Sequence, residues 1–155
     1  MSGVTEALLR FIVSAKAHSY VGDGGLVGHV VDGEHEHAYA EGQWRYRDRY
    51  VGGTDFCGQE VVWQGPAPVW AMVYYATLLR PGTIDGATAG RVIKSALSAL
   101  YQEGRFLGGW AAHIDGWDYV DVNEGDFRSF TGLEEIRRDG AACYRLQYAG
   151  GLVNE

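Results

Sequence analysis

Two stretches of the chain carry apolar residues at the spacing of an amphipathic helix. In residues 5–20 the apolar positions follow the i, i+3, i+4, i+7 pattern that places them on one helical face. Residues 87–103 show the same spacing. Thr5 is expected to cap the first helix at its N-terminus, and Gly104 is expected to follow the second helix as its C′ residue. The pattern therefore predicts two helices, each with one face directed at a core.

Six other stretches alternate between two faces or are largely apolar, which predicts strands. They are residues 43–50, 56–63, 69–75, 117–123, 127–138 and 142–149. The pair Asp139-Gly140 is typical of a tight hairpin turn between the last two strands. Two Gly-rich stretches are predicted to be loops, residues 21–42 and 105–116. The first of them is expected to carry a short strand around Leu26–Val31 and is long enough to act as a lid.

The two halves of the chain repeat the same short patterns in the same order. The first half contains Y-x-D (46–48), F-x-G-x-E (56–60) and W-x-M-x-Y (70–74), and the second contains Y-x-D (119–121), F-x-G-x-E (130–134) and Y-x-L-x-Y (144–148). We therefore predict one α+β domain over residues 1–155, with pseudo-repeats at about 5–79 and 85–150. Each repeat would supply a helix and three strands. Together they would form a curved, mainly antiparallel six-stranded sheet with two helices on one face, and a concave pocket on the other face or at the seam.

Four carboxylates lie on strand faces that are otherwise apolar or aromatic, namely Asp48, Glu60, Asp121 and Glu134. Burying a carboxylate is unfavourable unless it is hydrogen-bonded, paired or protonated. One interpretation is structural, with Glu60 tied to backbone amides of the turn at 52–56 and Asp48 paired with a hydroxyl or an Arg. The other is a pocket in which the four are candidate catalytic acid–base groups, or bind a cationic aromatic ligand. The candidate ligand-binding residues around them are Tyr46, Trp63, Trp70, Met72, Tyr74, His113, Trp117, Tyr119 and Tyr144.

Charge and composition narrow the function classes. The net charge is −7 and no run of Lys or Arg occurs, which argues against nucleic-acid binding because that depends on neutralising phosphates. No apolar run is long enough to cross a membrane, and the N-terminus does not have the pattern of a signal peptide. Cys57 and Cys143 are expected to be free thiols, so we predict a cytoplasmic protein.

A histidine-rich stretch raises the alternative of a metal site. His35 and His37 would share one strand face, and a third ligand would come from His18, His29 or His113. The competing interpretation, which we favour, is a solvated acidic loop. The sequence also contains neither a dinucleotide-binding fingerprint nor a P-loop. We therefore predict no metal and no cofactor.

The segments YVGGTDFCGQEVVW, PVWAMVYY, WDYVDV, FTGLEEI and YRLQYAGGLV resemble the DUF5680 family of small bacterial and archaeal domains. The opening FIVSAKAHSYVGDGG is also similar, so the resemblance spans nearly the whole chain. The resemblance implies an α+β domain without an assigned activity. Some relatives look like the C-terminal partner of a helix-turn-helix domain, which implies an effector-sensing role. We expect this chain to be a stand-alone copy, either a sensor without a DNA-binding part or a pathway enzyme.

These observations predict a domain that binds a small molecule in an aromatic pocket containing carboxylates. The first alternative is a cofactor-free biosynthetic enzyme for an isomerisation, cyclisation or lyase step. In it the pocket carboxylates would act as general acids and bases, with Tyr46, Tyr74, Tyr119 or His113 as donors. The second alternative is a homodimeric interaction module that associates through the Arg-bearing strand or a sheet edge. The expected partners are a small-molecule ligand or substrate, with no nucleic acid and no membrane.

Overall fold

The computed structural model describes residues 3–21 and 26–154, and it describes side chains outside residues 20–29. The helices are α1 (Gly3–Lys16), which continues into a π-helical turn (Ala17–Val21), and α2 (Gly86–Gln102), and a 3-10 turn spans Val31–Gly33. The strands are β1 (Leu26–His29), β2 (His35–Glu41), β3 (Trp44–Gly52), β4 (Phe56–Gln64), β5 (Ala67–Leu78), β6 (Trp110–Ile114), β7 (Trp117–Asp126), β8 (Ser129–Arg138) and β9 (Ala141–Leu152).

The nine strands form one sheet in the order β1-β2-β3-β4-β5-β9-β8-β7-β6, and every neighbouring pair is antiparallel. One meander runs from the β1 edge to β5, and a second runs from the β6 edge to β9, so β5 and β9 meet inside the sheet. The predicted α+β class, the single domain with two helices and the antiparallel sheet are confirmed. The prediction of six strands is wrong, and the sheet is not notably curved.

Three strands, β1, β2 and β6, lie where the sequence predicts loops, although a short strand was expected near the position of β1. The sequence of β2, HEHAYAE, has no apolar alternation, and its strand conformation depends on pairing along its whole length with β3. The strand β6 has only five residues and lies between two turns, at Gly108-Gly109 and at Asp115-Gly116. All four of these turn residues have positive φ angles, which are typical of turns and not of strands. These three strands thus form by pairing with a neighbouring strand, and that pairing is not visible in a local sequence pattern.

The helices and the inward side chains of the strands form one hydrophobic core. Helix α2 begins where the Asp85 carboxylate accepts a hydrogen bond from the Thr88 amide at 2.7 Å. It ends just before Gly104, which has a φ of 77° and is the predicted C′ residue. Helix α1 already includes Gly3, so Thr5 lies inside the helix and its prediction as the N-cap is wrong. In the described part of the chain, neither helix has the length and hydrophobicity needed to span a membrane.

The opposite face of the sheet is open along much of its area. Tyr75 on β5 and Val122 on β7 point to this side, and each is 52% exposed. Glu135 on β8 is buried there by two arginines, with Arg137 at 2.5 Å and Arg145 at 2.7 Å from its carboxylate oxygens. Burial raises the pKa of Glu135, but the hydrogen bonds from the two arginines outweigh that effect and hold the pKa below its usual range. The Glu135 carboxylate is therefore paired with two arginines on the open face of the sheet.

Candidate functional site

A cavity of about 60 Å³ lies between the two helices and the sheet, where β5 and β9 meet; we call it the central cavity. It is lined by Lys16, Asp48, Phe56, Glu60, Met72, Tyr74, Leu97, Tyr101, Phe106, Asp121, Glu134, Leu146 and Tyr148. Strands from both halves of the chain contribute to the lining, so the cavity lies at the seam rather than on the open face of the sheet.

The first carboxylate pair consists of Asp48 on β3 and Glu60 on β4, which occupy directly opposed positions of neighbouring strands. Tyr46 donates a hydrogen bond to Glu60 at 2.6 Å, and Tyr74 donates one to Asp48 at 2.5 Å. The Nζ atom of Lys16, from α1, lies 3.0 Å from each carboxylate oxygen of Glu60. Glu60 is thus bound by a cation and a phenol instead of the turn amides, whereas the pairing of Asp48 with a hydroxyl is confirmed.

The second carboxylate pair consists of Asp121 on β7 and Glu134 on β8, again at directly opposed positions. Tyr119 donates a short hydrogen bond to Glu134, and Tyr148 donates one to Asp121 at 2.6 Å. Tyr144 adds a longer hydrogen bond to Glu134 at 3.3 Å. Among the described residues, no Lys, Arg or His forms an ion pair with either carboxylate. The two pairs therefore have matching phenol contacts, and within the part of the chain that the structure describes an ammonium group is bound to the first pair alone.

Two glycines make the tyrosine contacts possible. Gly58 lies opposite Tyr74, and Gly132 lies opposite Tyr148, in the registers of β4 with β5 and of β8 with β9. A Cβ atom on Gly58 would lie 2.4 Å from the Tyr74 hydroxyl, and one on Gly132 would lie 2.0 Å from the Tyr148 Cζ. Each tyrosine ring thus crosses a glycine to reach an aspartate one strand further on. The G-x-E pattern consequently provides both the space for the ring and the glutamate of the pair.

Burial determines the acidity of Asp48 in the first pair. It raises the pKa of Asp48 to about 7, and the neighbouring charge of Glu60 adds to the rise. The hydrogen bond from Tyr74 and the charge of Lys16 act in the opposite direction. At neutral pH, Asp48 therefore exists in both protonation states and can donate or accept a proton.

The second pair behaves in the same way. Burial raises the pKa of Glu134 to about 7, although the hydrogen bond from Tyr119 opposes that rise. Burial also raises the pKa of Asp121, while a hydrogen bond from Tyr148 lowers it. Each carboxylate pair thus contains at least one group that changes its protonation state near pH 7.

Lys16 is a central residue of this site to which the sequence analysis assigned no role. Its side chain is buried, and its Nζ lies 5.2 Å from the ring centroid of Phe106 and 6.0 Å from that of Trp70. The signal was present, since Lys16 follows Ile12 by four residues and therefore lies on the apolar stripe of α1. The other lining residues that were not predicted are Phe56, Leu97, Tyr101, Phe106, Leu146 and Tyr148, and the last of them could have been found as the repeat partner of Tyr74.

The structure brings most of the predicted site residues together. The residues Asp48, Glu60, Met72, Tyr74, Asp121 and Glu134 line the central cavity. Tyr46, Tyr119 and Tyr144 contact it indirectly, as hydrogen-bond donors to its glutamates. Trp70 is fully buried and donates a hydrogen bond to the backbone oxygen of Phe127 at 3.0 Å, so it supports the core beside the cavity.

Three predicted site residues lie away from the central cavity. Trp63 packs beneath the guanidinium groups of two β3 arginines. His113 is largely exposed and lies 2.8 Å from the Asp118 carboxylate, in a separate surface depression. Trp117 is buried under Arg138, whose guanidinium carbon is 3.5 Å from the ring centroid. Alternation alone could not separate aromatic residues on the cavity side from those packed elsewhere.

The candidate metal ligands His18, His35 and His37 pack against aromatic side chains. His35 and His37 stack on Tyr50, and His18 stacks on Tyr39. The side chain of His29 lies outside the described residues. Within the described part of the chain, no group of three or more His, Cys, Asp or Glu residues is arranged to hold a metal ion.

The fold and the site define a small α+β domain with one antiparallel sheet, two helices and a carboxylate-containing cavity between them. The chain belongs to the DUF5680 family, a domain of unknown function, whose model matches residues 48–153. The matched region begins at Asp48 and includes all four cavity carboxylates, whereas Lys16 precedes it. No curated protein and no solved structure matches the chain.

Proposed function

We propose that this domain binds a small molecule in the central cavity. The observation that carries the proposal is the convergence of both carboxylate pairs and Lys16 on one cavity. Such a concentration of ionisable groups is unfavourable in a hydrophobic core unless the groups have partners, and a cavity with a few convergent polar groups is the usual form of a ligand site. The aromatic lining provides apolar contacts beside these polar groups.

The size of the cavity limits what it can enclose. A water molecule needs about 10–15 Å³ of such volume, so a cavity of about 60 Å³ has room for about four to six waters or a similar number of ligand atoms. We therefore expect a small ligand, or the polar end of a larger one.

Native mass spectrometry of the protein purified from its own host would test this proposal. We expect the wild type to carry a small molecule that denaturation releases. Leu97→Trp, which fills the cavity from α2, should abolish the adduct, because Leu97 lines it. Val73→Trp is the matched control, since Val73 is 51% exposed on the open face. The proposal would be refuted by a wild type without an adduct, or by an adduct that Leu97→Trp retains while folded.

A second candidate function is cofactor-free acid–base catalysis, which the pKa values of about 7 for Asp48 and Glu134 favour. A group whose pKa lies near the working pH is well suited to proton transfer. With the released molecule as substrate, Asp48→Asn and Glu134→Gln should each reduce kcat by about 100-fold or more if the group transfers a proton. Unchanged turnover in both variants would exclude this mechanism and leave the binding function.

Two broader features support further proposals. The matching registers of the two carboxylate pairs support an origin of the halves as pseudo-repeats. The free thiols of Cys57 and Cys143 support a cytoplasmic location. A homodimer would associate through the Arg-bearing strand β3 or through a sheet edge, at β1 or β6. A monomer mass retained at high protein concentration would contradict the homodimer.

A further inference from the structure

We propose that the central cavity takes the ammonium group of a small primary amine, which the second carboxylate pair binds as the first pair binds Lys16. This inference rests on the proposed function and specifies its ligand. The two carboxylate pairs have the same strand register and corresponding phenol donors, yet among the described side chains a cation contacts only the first pair. The first pair therefore shows which chemical group a carboxylate pair of this geometry can bind, namely a primary ammonium group.

The ammonium contact of the first pair is the one between Lys16 and Glu60. The Lys16 ammonium group lies 3.0 Å from both Glu60 oxygens and faces the rings of Phe106 and Trp70. It combines charge-assisted hydrogen bonds with the attraction between a cation and aromatic rings. A primary ammonium group of a ligand offers the same three N–H donors and the same charge.

No lysine side chain in residues 3–19 and 30–154 forms an ion pair with the second carboxylate pair. Helix α2 contributes Leu97 and Tyr101 to the cavity lining, and neither carries a positive charge. Arg105, whose charge reaches Asp121, is bound by the backbone oxygens of Leu107 and Gly109, at 2.7 Å and 3.0 Å, and by Glu103. The charges of Lys16 and Arg105 act on Asp121 from a distance, and the charge of Lys16 also acts on Glu134 from a distance. A ligand cation in the cavity would supply the missing partner.

The charges in the cavity also favour a cation over an anion or a neutral molecule. Four carboxyl groups and one ammonium group line the same small space. A second ammonium group would give each carboxylate pair one cation, whereas an anionic ligand would add to the repulsion. The aromatic side chains of Phe56, Tyr101 and Phe106 surround the space and can contact both the cation and its alkyl chain.

Three probes of similar shape and different charge would test the inference: n-butylamine, butan-1-ol and butyrate. Isothermal titration calorimetry on the full chain at pH 7.5 should show butylamine binding at least about tenfold more tightly than either of the others, because charge-assisted hydrogen bonds are stronger than neutral ones. Potassium chloride at the same concentration controls for ionic strength. Glu134→Gln should weaken butylamine binding by about tenfold or more, and Glu124→Gln, at an exposed position of β7, should not.

A second pair of variants places the ammonium group on the chain itself. Leu97→Lys directs a lysine from α2 into the cavity, and we expect it to remain folded and to lose butylamine binding. Ala99→Lys adds the same charge at an exposed position of α2 and should retain binding.

The outcomes separate this inference from the proposed function. If butan-1-ol or butyrate binds as tightly as butylamine and Leu97→Trp removes that binding, the cavity is a ligand site and the ammonium inference is wrong. Equal effects of butylamine and potassium chloride would also overturn it. If none of the probes binds and the purified protein carries no small molecule, both the inference and the proposed function fail.

Discussion

Tyr148 on β9 donates a hydrogen bond to Asp121 on β7 at 2.6 Å, although β8 lies between their strands. The ring passes over Gly132, and Tyr74 reaches Asp48 over Gly58 in the same manner. In each half, a residue without a side chain is therefore a condition for placing the phenol on a buried carboxylate. The geometry of the central cavity depends on these two crossings.

Replacing Gly132 by Ala should destabilise the fold and displace Tyr148. The added Cβ would lie 2.0 Å from the Tyr148 Cζ, and overpacking of this kind costs about 1–3 kcal/mol. Urea unfolding would measure the loss of free energy of unfolding. Gly90→Ala in α2 is the matched control, because none of the described atoms outside its own helix lies within 4 Å of its Cβ position. It should leave stability unchanged or raise it; an equal loss in both variants would refute the explanation.

Replacing Tyr148 by Phe should cost about 1.5–3 kcal/mol, since a hydrogen bond to a buried carboxylate is lost. Tyr74→Phe should have a similar effect, because its phenol makes the corresponding contact with Asp48. Tyr75→Phe removes the same hydroxyl from a side chain that is 52% exposed on the open face, and it should change stability little. Thermal and urea unfolding of the three variants would show whether the two cavity phenols are equivalent, and a loss confined to one half would argue against that.

Replacing Lys16 by Met should cost about 3–5 kcal/mol, because Glu60 would lose its cation in a buried setting. Lys94→Met on the exposed side of α2 should stay within about 0.5 kcal/mol of the wild type. The double variant Lys16→Met/Glu60→Gln should recover part of the loss, since it also removes the charge that was left unpaired. Without that recovery, the ion pair could not be the cause.

Stability should fall as the pH rises from about 4 to about 7. In that range the folded protein keeps protons on Asp48 and Glu134, whose pKa values are about 7, while the unfolded chain has lost them because its pKa values are about 4. Below this range both states are protonated, and above it both are ionised, so the contribution of each group is then constant. Asp48→Asn and Glu134→Gln should each reduce the downward slope by at most about 1.4 kcal/mol per pH unit.

Urea unfolding at several pH values would measure these slopes. Val73→Thr, at an exposed position without a titratable group, serves as the control and should leave the slope unchanged. Slopes that are equal in the wild type and both cavity variants would show that the two carboxyl groups ionise as they do in water.

The elements that could be predicted from the sequence are those in which the spacing of apolar residues follows from burial. Both helices, the long strands and the carboxylates of the cavity could be predicted because apolar spacing and the repeated G-x-E pattern record which side chains face inward. Gly104 was predictable for a similar reason, since its position after α2 requires a positive φ. These are local consequences of backbone geometry and burial.

The remaining features depend on contacts between distant parts of the chain. Strand β2 is polar and becomes a strand by pairing with β3. Trp63 and Trp117 are of a residue type that is common in ligand sites, but they pack against arginines outside the cavity. The role of Lys16 depends on where α1 crosses the sheet, which brings it to Glu60, 44 positions further along the chain. Local patterns carry little information about such long-range contacts.

Carboxyl groups from both halves of the chain line one small cavity and are themselves buried. Carboxyl ¹³C NMR titration of the aspartate and glutamate side chains would show whether this burial shifts their ionisation. We expect titration midpoints near 7 for Asp48 and Glu134, and lower midpoints for both when butylamine is bound. Midpoints near 4 for both groups, unchanged by butylamine, would contradict this expectation.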